Sequence, residues 1–141
     1  MTGEKLQFVD TNILVYAHDV MAGRKFETAK SLLLDLWQTK NGCISVQVLQ
    51  EFYVTVTQKI KKPLSSDEAG QIISALAAWE VHTPSAADVL SAVQIHQKNH
   101  ISFWDAMIIY SAQAMGCKIL WSEDLSTRSY DGVQVNDPFR E

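Results

Sequence analysis

The stretch "LQFVDTNILVYAHD", residues 6–19, places an acid, a hydroxyl and an amide directly after a short apolar run. "KLQFVD" (5–10) is brief, apolar and bounded by polar residues, which predicts a buried strand, and "NILVYAHD" (12–19) predicts a short helix after it. Asp10, Thr11 and Asn12 therefore fall where a strand ends. Residues of this kind either cap the helix that follows or hold a ligand. Which applies depends on whether other acids reach the same place.

Outward from this stretch, strands and helices alternate. Between Arg24 and Thr39, Phe26, Ala29, Leu32, Leu33, Leu36 and Trp37 recur at helical spacing, and Asn41-Gly42 breaks the pattern. "GCIS" (42–45) predicts a second strand, and Ser45 can cap the helix "VQVLQEFYVTVTQKI" (46–60), which stops before Pro63. Ser65 or Ser66 caps "SSDEAGQIISALAAW" (65–79), whose first turn is acidic. "EVHTP" (80–84) predicts a brief strand, and Ser85 starts a helix to about Gln97. Ser102 starts "FWDAMIIYSAQAMG" (103–116), closed by Gly116. "CKILWS" (117–122) predicts a fourth strand and "GVQVND" (132–137) a weak fifth. Such alternation implies a parallel sheet with helices on both faces. Without repeats, low-complexity tracts or a linker, the expectation is one three-layer α/β domain over residues 1–141.

The bulk properties agree. A chain of 141 residues, 47% hydrophobic and 20% charged, has the composition of an ordinary globule with a substantial core. No apolar run approaches the ~20 residues of a membrane span. "MTGEKLQFVD" lacks the basic start and apolar stretch of a signal peptide, so a cytoplasmic address is expected. Cys43 and Cys117 have neither zinc spacing nor a disulfide framework and are expected as buried thiols. The net charge of −4 does not suggest a basic nucleic-acid module, but carboxylates that hold divalent cations can present positive charge locally.

In open parallel sheets ligands bind outside the carboxyl ends of the strands. Asp10 ends the first strand, Glu51 lies about two turns into the helix after the second, Asp105 lies in the first turn of the helix beginning near Ser102, and Asp124 follows the fourth strand in "LWSEDL". If strands one and four are neighbours, these acids share one cleft. Each also has a local reading. Asp10, Thr11 and Asn12 can cap a helix, Glu51 can be a solvated residue at the edge of a buried stripe, Ser102-Phe-Trp-Asp105 matches a capping box, and Asp124 after Ser122 can be a turn aspartate. Glu123 reads most simply as solvated. Together the local readings weaken, because two carboxylates about 5 Å apart repel by roughly 3 kcal/mol at an effective dielectric of about 20. Hard divalent cations relieve such crowding, and so does protonation of one acid.

Other motifs carry less. His18, His82, His96 and His100 form no ligand pair, and no phosphate-binding glycine loop or G-x-S-x-G is present. Lys59, Lys61 and Lys62 sit at a helix end, where they complement the dipole or contact phosphate. Trp104 and Tyr130 can stack on a base, but core packing is the simpler assignment for both.

The ordered set "FVDTNILVYAHD", "VLQEFYVTVTQK" and "SFWDAMIIYSAQAMGCKILWSEDL" resembles the PIN-domain family, specifically VapC-like toxins of toxin–antitoxin pairs, from Lys5 to about Asn136. The resemblance implies an α/β/α domain with a central parallel sheet of order 3-2-1-4-5 and a Mg²⁺- or Mn²⁺-dependent endoribonuclease. Carried over by position, Asp10, Glu51, Asp105 and Asp124 match the family's catalytic and metal-binding acids, with Glu123 adjacent to the variable last one. Thr11, Asn12 and Ser122 match supporting polar residues. Asp10 and Asp105 would ligate directly, and Glu51 and Asp124 directly or through water. The resemblance also implies a single-stranded or looped RNA substrate, a small antitoxin partner and a homodimer. Two other functions stay open: a phosphatase of haloacid-dehalogenase type, which Asn12 disfavours, and a non-catalytic RNA- or partner-binding module.

Overall fold

The computed structural model describes residues 6–140. Lys5, at the start of the first predicted strand, lies outside them. Within this range the elements follow the predicted alternation: β1 (Gln7–Val9), α1 (Thr11–Tyr16), α2 (Arg24–Thr39), β2 (Gly42–Ser45), α3 (Val46–Gln58), α4 (Ser66–Leu76), β3 (Glu80–His82), α5 (Ala86–Asn99), α6 (Phe103–Ala114), β4 (Ile119–Trp121), β5 (Ser129–Tyr130) and β6 (Val133–Asn136). A short 3-10 turn at Val20–Ala22 precedes α2. Ser45, Ser65, Ser85 and Ser102 each accept a backbone N–H at the start of their helix, so these four helices begin where the serines direct. Helix α4 ends at Leu76, short of the predicted Trp79, because Trp79 turns inward. There its ring lies where a Cβ on Gly42 would come within 2.5 Å, so residue 42 must be glycine.

The sheet order is β3-β2-β1-β4-β6-β5. The five predicted strands stand in the expected order and pair in parallel, the fifth being β6. The expectation of a wholly parallel, five-stranded sheet needs one correction. Ser129–Tyr130 adds an antiparallel edge strand on β6, joined to it by Asp131-Gly132. Both linking residues have positive φ, 49° and 95°, the backbone of a tight two-residue hairpin.

The chain steps from β1 to β2 to β3 in one direction and then crosses to β4 on the far side of β1. Right-handed crossovers therefore put α1 to α4 on one face and α5 and α6 on the other. Helix α6 is buried over most of its surface, with Ala106, Met107, Ile108, Ile109, Ser111 and Ala112 enclosed between the sheet and α5. The reversal of direction between β1 and β4 opens a crevice at their carboxyl ends, the switch point where α/β sheets take ligands.

Cys43 and Cys117 are buried free thiols. No helix among the described residues is long and apolar enough to cross a membrane.

Candidate active site

The crevice is built from the end of β1 outward. Asp10 follows Val9 in extended conformation and caps α1, its Oδ1 accepting the Thr11 N–H at 2.7 Å. Its Oδ2 accepts the Ser122 hydroxyl at 2.8 Å and the Asn12 amide at 3.3 Å. Ser122 comes from the end of β4, brought alongside by the Phe8–Leu120 register. The helix-cap and ligand readings of Asp10 are thus not exclusive, since one carboxylate caps α1 and also meets β4 across the crevice.

Thr11 and Asn12 extend this bridge. The Thr11 hydroxyl donates to Glu51 Oε1 at 2.6 Å, tying α3 to the tip of β1. Asn12 Nδ2 donates to Asp124 Oδ2 at 3.1 Å, while its Oδ1 accepts the Glu123 N–H at 3.1 Å. Ser122 Oγ also accepts the N–H groups of Asp124 and Leu125, each at 3.2 Å, and so shapes the turn that presents Asp124. Asp105 enters from the first turn of α6. Ser102 Oγ accepts its N–H at 3.0 Å. The reciprocal bond of the predicted capping box, from the Ser102 N–H to the Asp105 carboxylate, is not formed, and the carboxylate faces the crevice.

Asp10, Glu51, Asp105 and Asp124 line one cleft of about 760 Å³, together with Thr11 and Asn12. No histidine lines it among the described residues. Burial pushes the Asp10 carboxyl up to about 6, and Glu51 and Asp105 push in the same direction against the bonds from Ser122 and Thr11. Burial likewise raises Asp105, the Ser102 side chain opposes it, and repulsion from Asp124 and Glu51 adds to the rise. Asp10 thus feels the charges of Glu51 and Asp105, and Asp105 those of Asp124 and Glu51.

Glu123 has a different fate. Tyr16 donates to its Oε1 at 2.7 Å and the Lys25 ammonium pairs with its Oε2, so both oxygens are taken and the carboxyl stays below its ordinary range despite partial burial. Of the two adjacent acids, Asp124 faces the cleft.

Sequence reading did not single out Gln47 or Lys25 as lining residues. Gln47 donates to Glu51 Oε2 at 3.1 Å and to the Trp104 carbonyl at 3.3 Å. It stands one helical turn before Glu51, and that i, i+4 spacing was the available signal. Trp104 does not pack into the core as expected; it is 62% exposed and lines the cleft, whereas Tyr130 is buried. Lys25, Lys59 and Lys61 also line it.

The donor set is entirely oxygen, which suits a hard divalent cation. Among the described residues, no three acid, histidine or cysteine side chains close tightly enough to hold an ion unaided. A cation held by few carboxylates must keep water ligands, as Mg²⁺ does. The residues present fit such an ion.

Comparison with known proteins places the fold. Three solved structures share the fold. A toxin–antitoxin complex from Klebsiella pneumoniae is 23% identical, covers 96% of this chain and 99% of its own, and has a TM-score of 0.66. FitAB bound to a DNA fragment is 20% identical over 96% and 97%, with a TM-score of 0.72. VapC20 of Mycobacterium tuberculosis, a toxin that cleaves the sarcin–ricin loop, is 20% identical over 81% and 86%, with a TM-score of 0.60. No curated protein sequence matches the chain significantly. The PIN-domain family model matches residues 8–133, nearly the whole described chain, and the protein belongs to the PIN-domain family.

Proposed function

We propose that this protein is a divalent-metal-dependent endoribonuclease and the toxin of a toxin–antitoxin pair. The observation that carries the reading is the convergence of Asp10, Glu51, Asp105 and Asp124, from four separate elements, on the switch-point cleft of a PIN domain. The toxin assignment draws support from the solved toxin–antitoxin complexes that share the fold.

Asp10 and Asp105 would hold a Mg²⁺ or Mn²⁺ ion, with Glu51 and Asp124 completing its surroundings directly or through water. When bound, the ion would acidify the attacking water and neutralise charge on the phosphate oxygens. The chain's own contribution is positioning. Ser122 and the Thr11 N–H fix the Asp10 oxygens, Thr11 and Gln47 fix Glu51, and Asn12 fixes Asp124. Holding the carboxylates in advance means no reorganisation is needed as charge develops in the transition state. The products would carry a 5′-phosphate and a 3′-hydroxyl. A small antitoxin would cover the cleft, two copies of the chain would pair, and both partners would meet in the cytoplasm.

The rival phosphatase reading requires Asp10 to act as a nucleophile and Asn12 to be a second acid. Residue 12 is an amide, and it serves as a clamp between the ends of β1 and β4, donating to Asp10 and Asp124 and accepting the Glu123 N–H. Total RNA incubated with the protein and Mg²⁺ should yield discrete new 5′ ends. Those ends should vanish with EDTA and with Asp10→Asn. RNA binding without metal-dependent cleavage would instead establish a non-catalytic module, and a trapped aspartyl-phosphate would establish the phosphatase.

A further inference from the structure

Trp104 is the most exposed aromatic side chain among the described residues, at 62%, beside the partly buried Phe103 and the cleft-facing Asp105. Leaving an indole in water forfeits one of the larger hydrophobic gains available to a side chain. Nothing in the core requires that position, because Phe103 already packs against it. Its backbone is nonetheless anchored, and one aromatic contact orients the ring. Gln47 fixes the Trp104 carbonyl with the amide that also fixes Glu51, and the Phe103 ring meets the indole near edge-on at 5.1 Å.

On the neighbouring wall, Gln47, Glu51, Thr55 and Lys59 recur every fourth residue along α3 and its cap, and all four line the cleft. This stripe spans about 18 Å from Gln47 to Lys59, of which about 12 Å lies beyond Glu51 toward the helix end. There Lys59 and Lys61 are exposed and have no carboxylate partner among the described residues. Lys25, by contrast, is tied to Glu123. The cleft thus offers a flat π surface next to the reactive acids and unpaired cations farther out.

We infer that Trp104 is a stacking platform for an unpaired base beside the scissile phosphate, and that the α3 stripe leads the flanking strand to phosphate contacts at Lys59 and Lys61. The inference rests on the ribonuclease reading above and assigns particular side chains to the handling of an unpaired strand. A nucleotide carries its base one sugar away from its phosphate, which matches a platform adjacent to Asp105. A duplex keeps its bases stacked on one another and unavailable to an indole. Stacking tolerates any base, so Trp104 sets the demand for an unpaired nucleotide rather than for a sequence.

The test compares Trp104→Leu, Trp104→Phe and Lys59→Ala/Lys61→Ala with the parent protein. On a short single-stranded RNA with Mg²⁺, Trp104→Leu should raise KM about tenfold, with the effect falling mainly on KM, and Trp104→Phe should recover most of the loss. The double lysine variant should lower the slope of log affinity against log salt by about 1.4, two single-strand phosphate contacts. A 5-iodouridine single-stranded RNA irradiated on the Asp10→Asn protein should cross-link to Trp104, while the same RNA in a duplex should not. Normal cleavage kinetics for Trp104→Leu, with cross-links elsewhere, would overturn this inference and leave the ribonuclease reading intact. Normal kinetics together with loss of neutralisation by the neighbouring gene's product would reassign Trp104 to a protein interface and also overturn it. Absence of RNA cleavage by the parent protein would overturn the ribonuclease reading, and this inference with it.

Discussion

Helices α5 and α6 begin with the same local spelling, Ser85-Ala-Ala-Asp88 and Ser102-Phe-Trp-Asp105. At α5 both halves of the capping box form: Ser85 Oγ accepts the Asp88 N–H at 3.2 Å, and Asp88 Oδ2 accepts the Ser85 N–H at 2.8 Å. Tyr110 donates to the other Asp88 oxygen at 2.9 Å, and His82 Nε2 lies 3.4 Å away. These donors, the Ser85 N–H foremost, hold the Asp88 carboxyl below its ordinary range. At α6 only the serine half forms, and burial and neighbouring acids raise Asp105. The same four-residue signal thus yields a structural acid where several donors outweigh burial and a cleft acid where burial and two neighbouring acids outweigh the single donor Ser102. The motif fixes where the helix starts; the tertiary neighbours decide what the acid is for.

The sharpest way to break this contrast is catalytic. Asp105→Asn should lower Mg²⁺-dependent RNA cleavage by at least about a hundredfold, as expected for loss of a group that holds the ion. Asp88→Asn should leave the rate within about twofold, since it lies outside the cleft. Initial rates on the same RNA measure both. Equal activity of the two variants would place Asp105 among the caps.

The contrast also shows what a sequence can and cannot display. Alternating strands and serine caps were legible because they depend on neighbours a few residues apart. So was the placement of Asp10, which needs only the end of β1. Whether Glu123 or Asp124 faces the cleft was not legible, because Lys25 and Tyr16, about a hundred positions away, decide it. Trp104 reads as core in a helical pattern, and only the packing of Phe103 in its place shows that it is not. The edge strand at Ser129–Tyr130 had a usable signal in Asp131-Gly132, but two residues are too short to register as a strand.

Acidity gives the next largest effect. The gap between 3.8 and about 6 for Asp10 corresponds to about 3 kcal/mol. Because the folded value is raised, the folded state binds more protons between these limits, so the metal-free protein loses that stability as pH rises from 3.8 to about 6. Asp88, whose folded value is lowered, acts with the opposite sign: its stabilisation is present above its ordinary range and is lost as pH falls through the depressed value. Chemical denaturation in EDTA across this interval should therefore show the parent losing ground to Asp10→Asn as pH rises. Parallel curves would mean that Asp10 is not strained by its burial.

Metal should reverse that loss. A cation that binds only the folded state adds about 2.7 kcal/mol at a hundredfold excess over its Kd. Mg²⁺ should raise the Tm of the parent and of Asp88→Asn alike at neutral pH, and should do little for Asp10→Asn. A parent Tm unmoved by millimolar Mg²⁺ would count against the cleft as a cation site.

The smallest effect tests the two helix starts directly, with metal removed and activity out of the picture. At neutral pH Asp105→Asn deletes a charge that burial, Asp124 and Glu51 disfavour and only the Ser102 side chain favours, while the bond from the Asp105 backbone N–H to Ser102 is untouched. Its Tm in EDTA should rise, by about 2 °C at most for so exposed a group. Asp88→Ala removes the acceptor for the Ser85 N–H and for the Tyr110 hydroxyl, and its Tm should fall. Opposite signs from the same position of the same motif are what a cap and a cleft acid must give. If both variants fell together, Asp105 would be stabilising its helix through the carboxylate, and the half-formed box at α6 would be a cap like the other.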